Sequence, residues 1–229
     1  MAFNLCQFTT SLTPQKLSNL EAALSPERLG PYKSFVQNHT ARGIQLYSLN
    51  SDLAAALFDV LHVFEITLRN AMDRQLSNHF KSQRWMYDNR FTSLLNQTST
   101  DKLNQAIHLS RHNPLPGKVI AELSFGFWKH LYASNYYQTL WQPCLQNIWP
   151  QPVRTHATGL DKLRSDLECV RVLRNRIAHH ELIFTNAHHR KTYKATLHRL
   201  KQLSQVSKEY IDYRTQTLID DIIIARNTI

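Results

Sequence analysis

Only five glycines occur in 229 residues, too few for the turns and bulges that a sheet-rich chain of this length uses. Cysteine is equally scarce. Cys6, Cys144 and Cys169 lie far apart, are odd in number and form no CxxC pair, so they suggest neither a disulfide framework nor a zinc cluster. They are expected as free thiols in a reducing compartment. No window approaches the roughly 20 apolar residues of a membrane span, and the opening MAFNLCQFTT shows no basic leader ahead of an apolar run. A cytoplasmic protein without a membrane partner is expected. Acidic residues are the remaining shortage: 17 Asp and Glu stand against 27 Lys and Arg, a net charge of +10 with His neutral.

That excess is uneven along the chain. From Pro150 to Arg214, 13 basic and 6 acidic residues give +7, whereas residues 1–149 give +4 (13 − 9). Such a field attracts RNA or DNA. A basic surface kept for solubility would look the same by charge alone, so both readings stand at this point. A chain of this length should bury roughly 70% of its unfolded surface and needs no covalent staple. No internal repeat, low-complexity tract or linker interrupts it, and a single domain over 1–229 is expected.

Helical periodicity recurs throughout and predicts an all-α fold. Thr13-Pro14 and Ser25-Pro26 each set a capping hydroxyl before a proline at the first helical position. A helical stretch from Tyr32 to Leu49 should break at Gly43, and Ser51 or Asp52 should cap a long helix. In it Leu53, Leu57, Leu61, Phe64, Leu68, Met72 and Leu76 form a stripe of about seven turns. Glu65, Arg69 and Asn70 lie near its middle, with Glu65 and Arg69 spaced as a surface ion pair. Trp85–Asn89 reads as a loop, and Asp101–Arg111 as a helix stopped at Asn113-Pro114-Leu115-Pro116-Gly117. Val119–Tyr132 carries Ile120, Leu123, Phe127 and Leu131 at helical spacing, with Phe125 and Trp128 as added core aromatics. Residues 141–159, with Pro143, Pro150, Pro152 and Gly159, read as an irregular connection. Leu160–Phe184 follows as a helix, then a last helical region from Asn186 to about Arg226 with a basic run.

The polar residues concentrate in RVLRNRIAHHELIF, Arg171 to Phe184. On a helical wheel Leu163, Leu167, Val170, Leu173 and Ile177 share one arc, and Arg174 falls inside it, where an unpaired charge is costly. A buried pair with Glu181, seven residues on, is one way to satisfy it. Asn175 and His179 are four apart on a flanking face, where the amide could fix the imidazole, and Arg171 extends that row. A guanidinium near an imidazole is also what RNA cleavage without a metal requires: a base for the 2′-hydroxyl proton and a fixed cation for charge on the phosphate.

An Arg followed by a polar residue and then a His, on a late helix of an all-α chain, resembles the HEPN ribonuclease motif, and LRNRIAHHE fits with four residues between Arg174 and His179. RNRIAHHE, FEITLRNAM (Phe64 to Met72) and AELSFGFW (Ala121 to Trp128) together resemble the abortive-infection (Abi-like) family of HEPN-domain proteins. SPERLGPY and QLYSLNSDLAAAL add to the likeness, which covers roughly residues 25–185 and leaves 186–229 as a C-terminal extension. The resemblance implies a HEPN-like helical bundle with added N- and C-terminal helices. It also implies a homodimer whose motif helices form a composite ribonuclease site in bacterial phage defence or a toxin system, with an antitoxin or regulatory RNA as a further partner. By that likeness Arg174 would hold the scissile phosphate, His179 would act as base or acid, and Asn175 would position one of them. Glu65, Arg69 and Asn70 would approach the same cleft. His180 also fits the spacing, so the choice between the two histidines stays open, with His179 favoured by Asn175.

Two departures from the family pattern fall at Leu182, where proline is usual after HHE, and at Leu49-Asn50, where a Trp-Asn pair is usual. Glu181 stands where some HEPN toxins carry a modified tyrosine. His188, His189 and His198 lack a carboxylate or cysteine pattern that would complete a metal site, and are expected as solvated or RNA-facing residues. No cofactor and no essential metal is expected. A non-catalytic HEPN-type module that binds RNA or a protein partner is the alternative to a nuclease.

Overall fold

Thr13 and Ser25 start the first two helices as expected. In the computed structural model, which describes residues 11–110, 115–142, 144–149, 157–184 and 187–226, Thr13 Oγ1 accepts the Lys16 N–H at 3.3 Å and Ser25 Oγ the Arg28 N–H at 3.2 Å. They open α1 (Pro14–Leu24) and α2 (Pro26–Ser34). There follow α3 (Thr40–Phe80), α4 (Asn89–Thr92), α5 (Gln97–Leu109), α6 (Pro116–Glu122), α7 (Phe125–His130) and α8 (Leu145–Ile148). The chain continues with α9 (Ala157–Ala178), α10 (Ala187–Leu203) and α11 (Gln205–Arg226). No strand occurs among the described residues, and the fold is all-α.

Several expected boundaries move, each for a local reason. Helix α3 runs 41 residues without the break at Gly43 or a cap at Ser51 or Asp52. A Cβ at Gly43 would meet Lys33 Cγ at 2.6 Å and Lys33 Cα at 3.3 Å, so the glycine lets α2 and α3 approach closely instead of ending a helix. Ser51 turns its hydroxyl back onto the Tyr47 carbonyl at 3.1 Å, satisfied within the helix. The 85–89 segment is ordered by burial: Trp85 is fully enclosed and its indole donates to Asp73 Oδ1 at 2.8 Å. Asn96 caps α5 four residues earlier than expected. The expected helix Val119–Tyr132 is two helices, because Ser124 adopts an extended conformation and caps α7, as its residue type favours. Gly159 lies inside α9, and Ser204 divides the last helical region into α10 and α11. Cys6, Arg111, Asn113, Pro114, Pro143, Pro150 and Pro152 lie outside the described residues.

The chain gathers into two compact units. The first takes Met1–Val60, Arg174–Lys191 and Tyr210–Ile229. Its apolar centre is Tyr32, Val36 and Leu46, packed against Tyr47, Leu182 and Phe184, with Tyr32 edge-on to Tyr47 at 5.4 Å. The second takes Leu61–Leu173 and Thr192–Glu209, and here the stripe Leu61, Phe64, Leu68, Met72 and Leu76 is buried as expected. Phe125, Phe127 and Trp128 are core residues too. Tyr132 stacks on Trp141 at 5.0 Å and receives the Trp149 indole N–H at 3.1 Å. Arg199 of α10, 7% exposed, grips Asp166 Oδ2 of α9 at 2.9 and 2.7 Å and lies over the Trp149 ring. A buried guanidinium is tolerated there because its charge is paired.

Candidate active site

Helix α9 buries Leu163, Leu167, Val170, Leu173 and Ile177, as the wheel requires. It ends at Ala178, six residues before the expected limit at Phe184. The His179 N–H still bonds the Asn175 carbonyl at 2.9 Å, but the His180 N–H turns back to the Ile177 carbonyl at 3.0 Å and the Glu181 N–H to the Arg176 carbonyl at 2.9 Å. That pattern is a Schellman closure, which needs a left-handed residue just past the helix. His180 supplies it with φ 56°. Glycine takes this conformation freely, whereas an L-residue with a Cβ is strained by about 1 kcal/mol. No glycine or proline marks the stop, so His179, His180 and Glu181 read as helical from the sequence and are instead the cap and the turn beyond it.

The turn is tied down from three sides within the first unit. Asn50, 3% exposed, donates its amide N–H to the Glu181 carbonyl at 3.2 Å and accepts the Ile183 N–H at 2.9 Å. Arg28 donates to the His180 carbonyl at 3.3 Å. His189, 5% exposed, meets the Ile183 carbonyl through Nδ1 at 2.9 Å and Arg176 through Nε2 at 3.3 Å. A carbonyl and a guanidinium fix its tautomer: Nδ1 carries the proton and Nε2 accepts. Burial, with Arg176 close by, holds His189 below its ordinary 6.5, so it sits neutral at pH 7. The expectation that His189 is solvated or RNA-facing is therefore corrected; it is enclosed because it satisfies buried backbone.

Glu181 places Oε2 against Arg176 Nε at 2.7 Å. Arg174 and Asn175 are half-buried, while His179, His180 and Glu181 are exposed. Arg171 is committed elsewhere: its Nε donates to both Glu168 oxygens, at 3.2 and 3.0 Å, and Lys129 bonds the same carboxylate. Arg171 first, and Lys129 with it, hold Glu168 down to about 2. Arg171, Glu65, Arg69 and Asn70 belong to the second unit, and Arg174, Asn175, His179, His180 and Glu181 to the first. Glu65 and Arg69 are half-buried and Asn70 is exposed.

Asn50, Arg28, Arg176 and His189 were not singled out as site residues by sequence reasoning. Asn50 had a signal, as the second member of Leu49-Asn50 where the family pattern has Trp-Asn. The others depend on contacts 6 to 152 residues apart in sequence, which periodicity does not carry. Among the described residues no three His, Cys, Asp or Glu side chains gather as a metal cluster would need. No described helix is long and apolar enough to cross a membrane.

No curated protein and no solved structure matches the chain. The sequence model of a family described as Abi-like protein matches residues 24–185, a span that holds α2 through α9, the turn beyond α9, and every anchor of that turn except His189. By that match over most of its length, the chain belongs to the Abi-like protein family.

Proposed function

We propose that the chain is a metal-independent endoribonuclease of the HEPN type, working in phage defence or as a toxin, whose site is completed between two copies. In this reading His179 removes the 2′-hydroxyl proton or delivers a proton to the leaving 5′-oxygen. The 2′-oxygen attacks phosphorus, the P–O5′ bond breaks, and a 2′,3′-cyclic phosphate and a 5′-hydroxyl result. Arg174 steadies the charge on the phosphate oxygens with paired N–H donors, and Asn175 positions one of these groups. An antitoxin or regulatory RNA controls the site.

One observation carries the reading: an exposed imidazole, His179, on a helix end whose following turn is fixed by Asn50, Arg28 and His189. Reaction centres need such fixed geometry, since small misplacements cost large factors in rate. Helix geometry also favours a site made by two protomers. His179 follows Arg174 by five positions, which on helical geometry turns it by about 140° and shifts it about 7.5 Å along the axis. The two groups of one chain thus diverge, and a second copy brings the missing partner to each.

The test is RNA cleavage in excess EDTA by His179→Ala and Arg174→Ala, with folding checked by circular dichroism. Loss of about 10²- to 10⁴-fold is expected for His179→Ala, and about 10²- to 10³-fold for Arg174→Ala. If both variants stay folded and cleave like wild type, the nuclease assignment fails and a non-catalytic binding module stands in its place. Loss of wild-type cleavage on adding EDTA would defeat metal independence.

A further inference from the structure

Helix α10 contains no aspartate or glutamate, and its exposed residues from 188 to 203 are His188, Arg190, Lys191, Lys194, His198 and Lys201. Every one is basic. At about 100° per residue, Arg190, Lys191, Lys194, His198 and Lys201 fall within an arc of about 100°. Thr192, Thr196, Arg199 and Leu200, on the other side, are buried. Arg199 pairs with Asp166, so the cation on the inner face is neutralised, while the outer face exposes only basic residue types.

A surface kept for solubility has no reason to take this form. Arg190 and Lys191 each stand one helical turn from Lys194, a like-charge arrangement that weakens a helix. Arg190 also sits in the first turn, where the helix dipole disfavours a cation. Interspersed glutamates would remove both penalties at equal solubility. Another helix in the chain has that mixed pattern: α5 exposes Asp101, Lys102, Asn104 and Gln105 side by side.

We infer that the outer face of α10 is a track for the phosphate backbone of single-stranded RNA. From Arg190 to Lys201 the row runs about 16 Å, enough to follow several successive phosphates with cations. An anionic lipid surface is the other large polyanion. It is disfavoured because none of these exposed residues is apolar, and an interfacial helix needs an apolar face to insert. The inference rests on RNA being the ligand of the proposed cleavage, but it concerns binding and is tested apart from the chemistry.

The probe is a fluorescent single strand of 2′-O-methyl RNA, which has no free 2′-hydroxyl and survives any nuclease of the proposed kind. Its affinity for the full chain is measured by anisotropy across a salt series. The variant is K191Q/K194Q/K201Q, and the control is K16Q/K102Q/K118Q, three exposed lysines elsewhere. The slope of log affinity against log salt is expected to become shallower by about 2 in the α10 variant, at about 0.7 per lost phosphate contact. The control should fall clearly short of that change. Equal slopes in the two triple variants overturn the inference, as does a wild-type chain that binds phosphatidylserine vesicles but not the RNA. A shallower slope in the α10 variant alone, without cleavage of ordinary RNA, upholds the track and removes only the nuclease assignment.

Discussion

Asn50 gives Glu181 and Ile183 the pair of backbone bonds that a neighbouring strand would otherwise provide, and it does so from a site only 3% exposed. Replacing it by alanine strands a buried N–H and a carbonyl, which should cost about 2 kcal/mol. A urea unfolding midpoint that stays unchanged would show the turn held by other means. His180 makes the opposite case. Its left-handed backbone is a position where glycine is unstrained, so His180→Gly should gain about 0.5–1 kcal/mol in the same measurement. If His179 is the reacting imidazole, cleavage by this variant stays near wild type, whereas a collapse to the level of His179→Ala would assign the chemistry to His180.

His189 adds a pH dependence. Its affinity for a second proton is lowered in the folded chain by burial, with Arg176 adding to it, so below 6.5 the unfolded chain binds a proton that the folded chain resists. Stability is full above 6.5 and falls as pH drops towards the folded value. The melting temperature is expected to decline between pH 7.5 and 5.5, and His189→Asn, which can keep a donor on the Ile183 carbonyl, should flatten part of that decline. Some slope will remain, because burial and the nearby Lys102 and Lys129 lower His130 in the same direction. An identical slope in the variant would contradict the role given to His189.

Among the elements, Gly43 shows how a helix breaker by composition becomes a packing residue. In an exposed helix Gly→Ala gains about 1 kcal/mol. Here the new methyl would meet Lys33 Cγ at 2.6 Å, and Lys33 is held by Glu21 at 2.6 Å. Gly43→Ala is therefore expected to lose about 1–2 kcal/mol through overpacking, and a more stable variant would mean that α2 gives way easily. The helices themselves were legible where a capped proline or a long stripe announced them, as at Thr13, Ser25 and Leu57 to Leu76. Their ends were less so. The stop of α9 carries no glycine, and the anchor residues that set the turn lie on other helices, α2, α3 and α10, those on α2 and α3 more than 130 residues away in sequence. Arg174 and His179 were candidates from spacing alone, whereas Asn50, Arg28 and His189 needed the folded chain.

At the scale of the whole molecule, the proposed site asks for two copies. The angle between Arg174 and His179 makes that demand specific: in the proposed site each arginine comes from one protomer and each imidazole from the other. Arg174→Ala and His179→Ala chains, each inactive alone, are mixed under conditions that exchange subunits, and RNA cleavage is measured. Half of randomly assorted dimers are mixed, and each mixed dimer holds one site with both groups intact, so about one quarter of wild-type activity should return. Activity that stays at the level of the separate variants, with subunit exchange verified, would contradict a site shared between protomers.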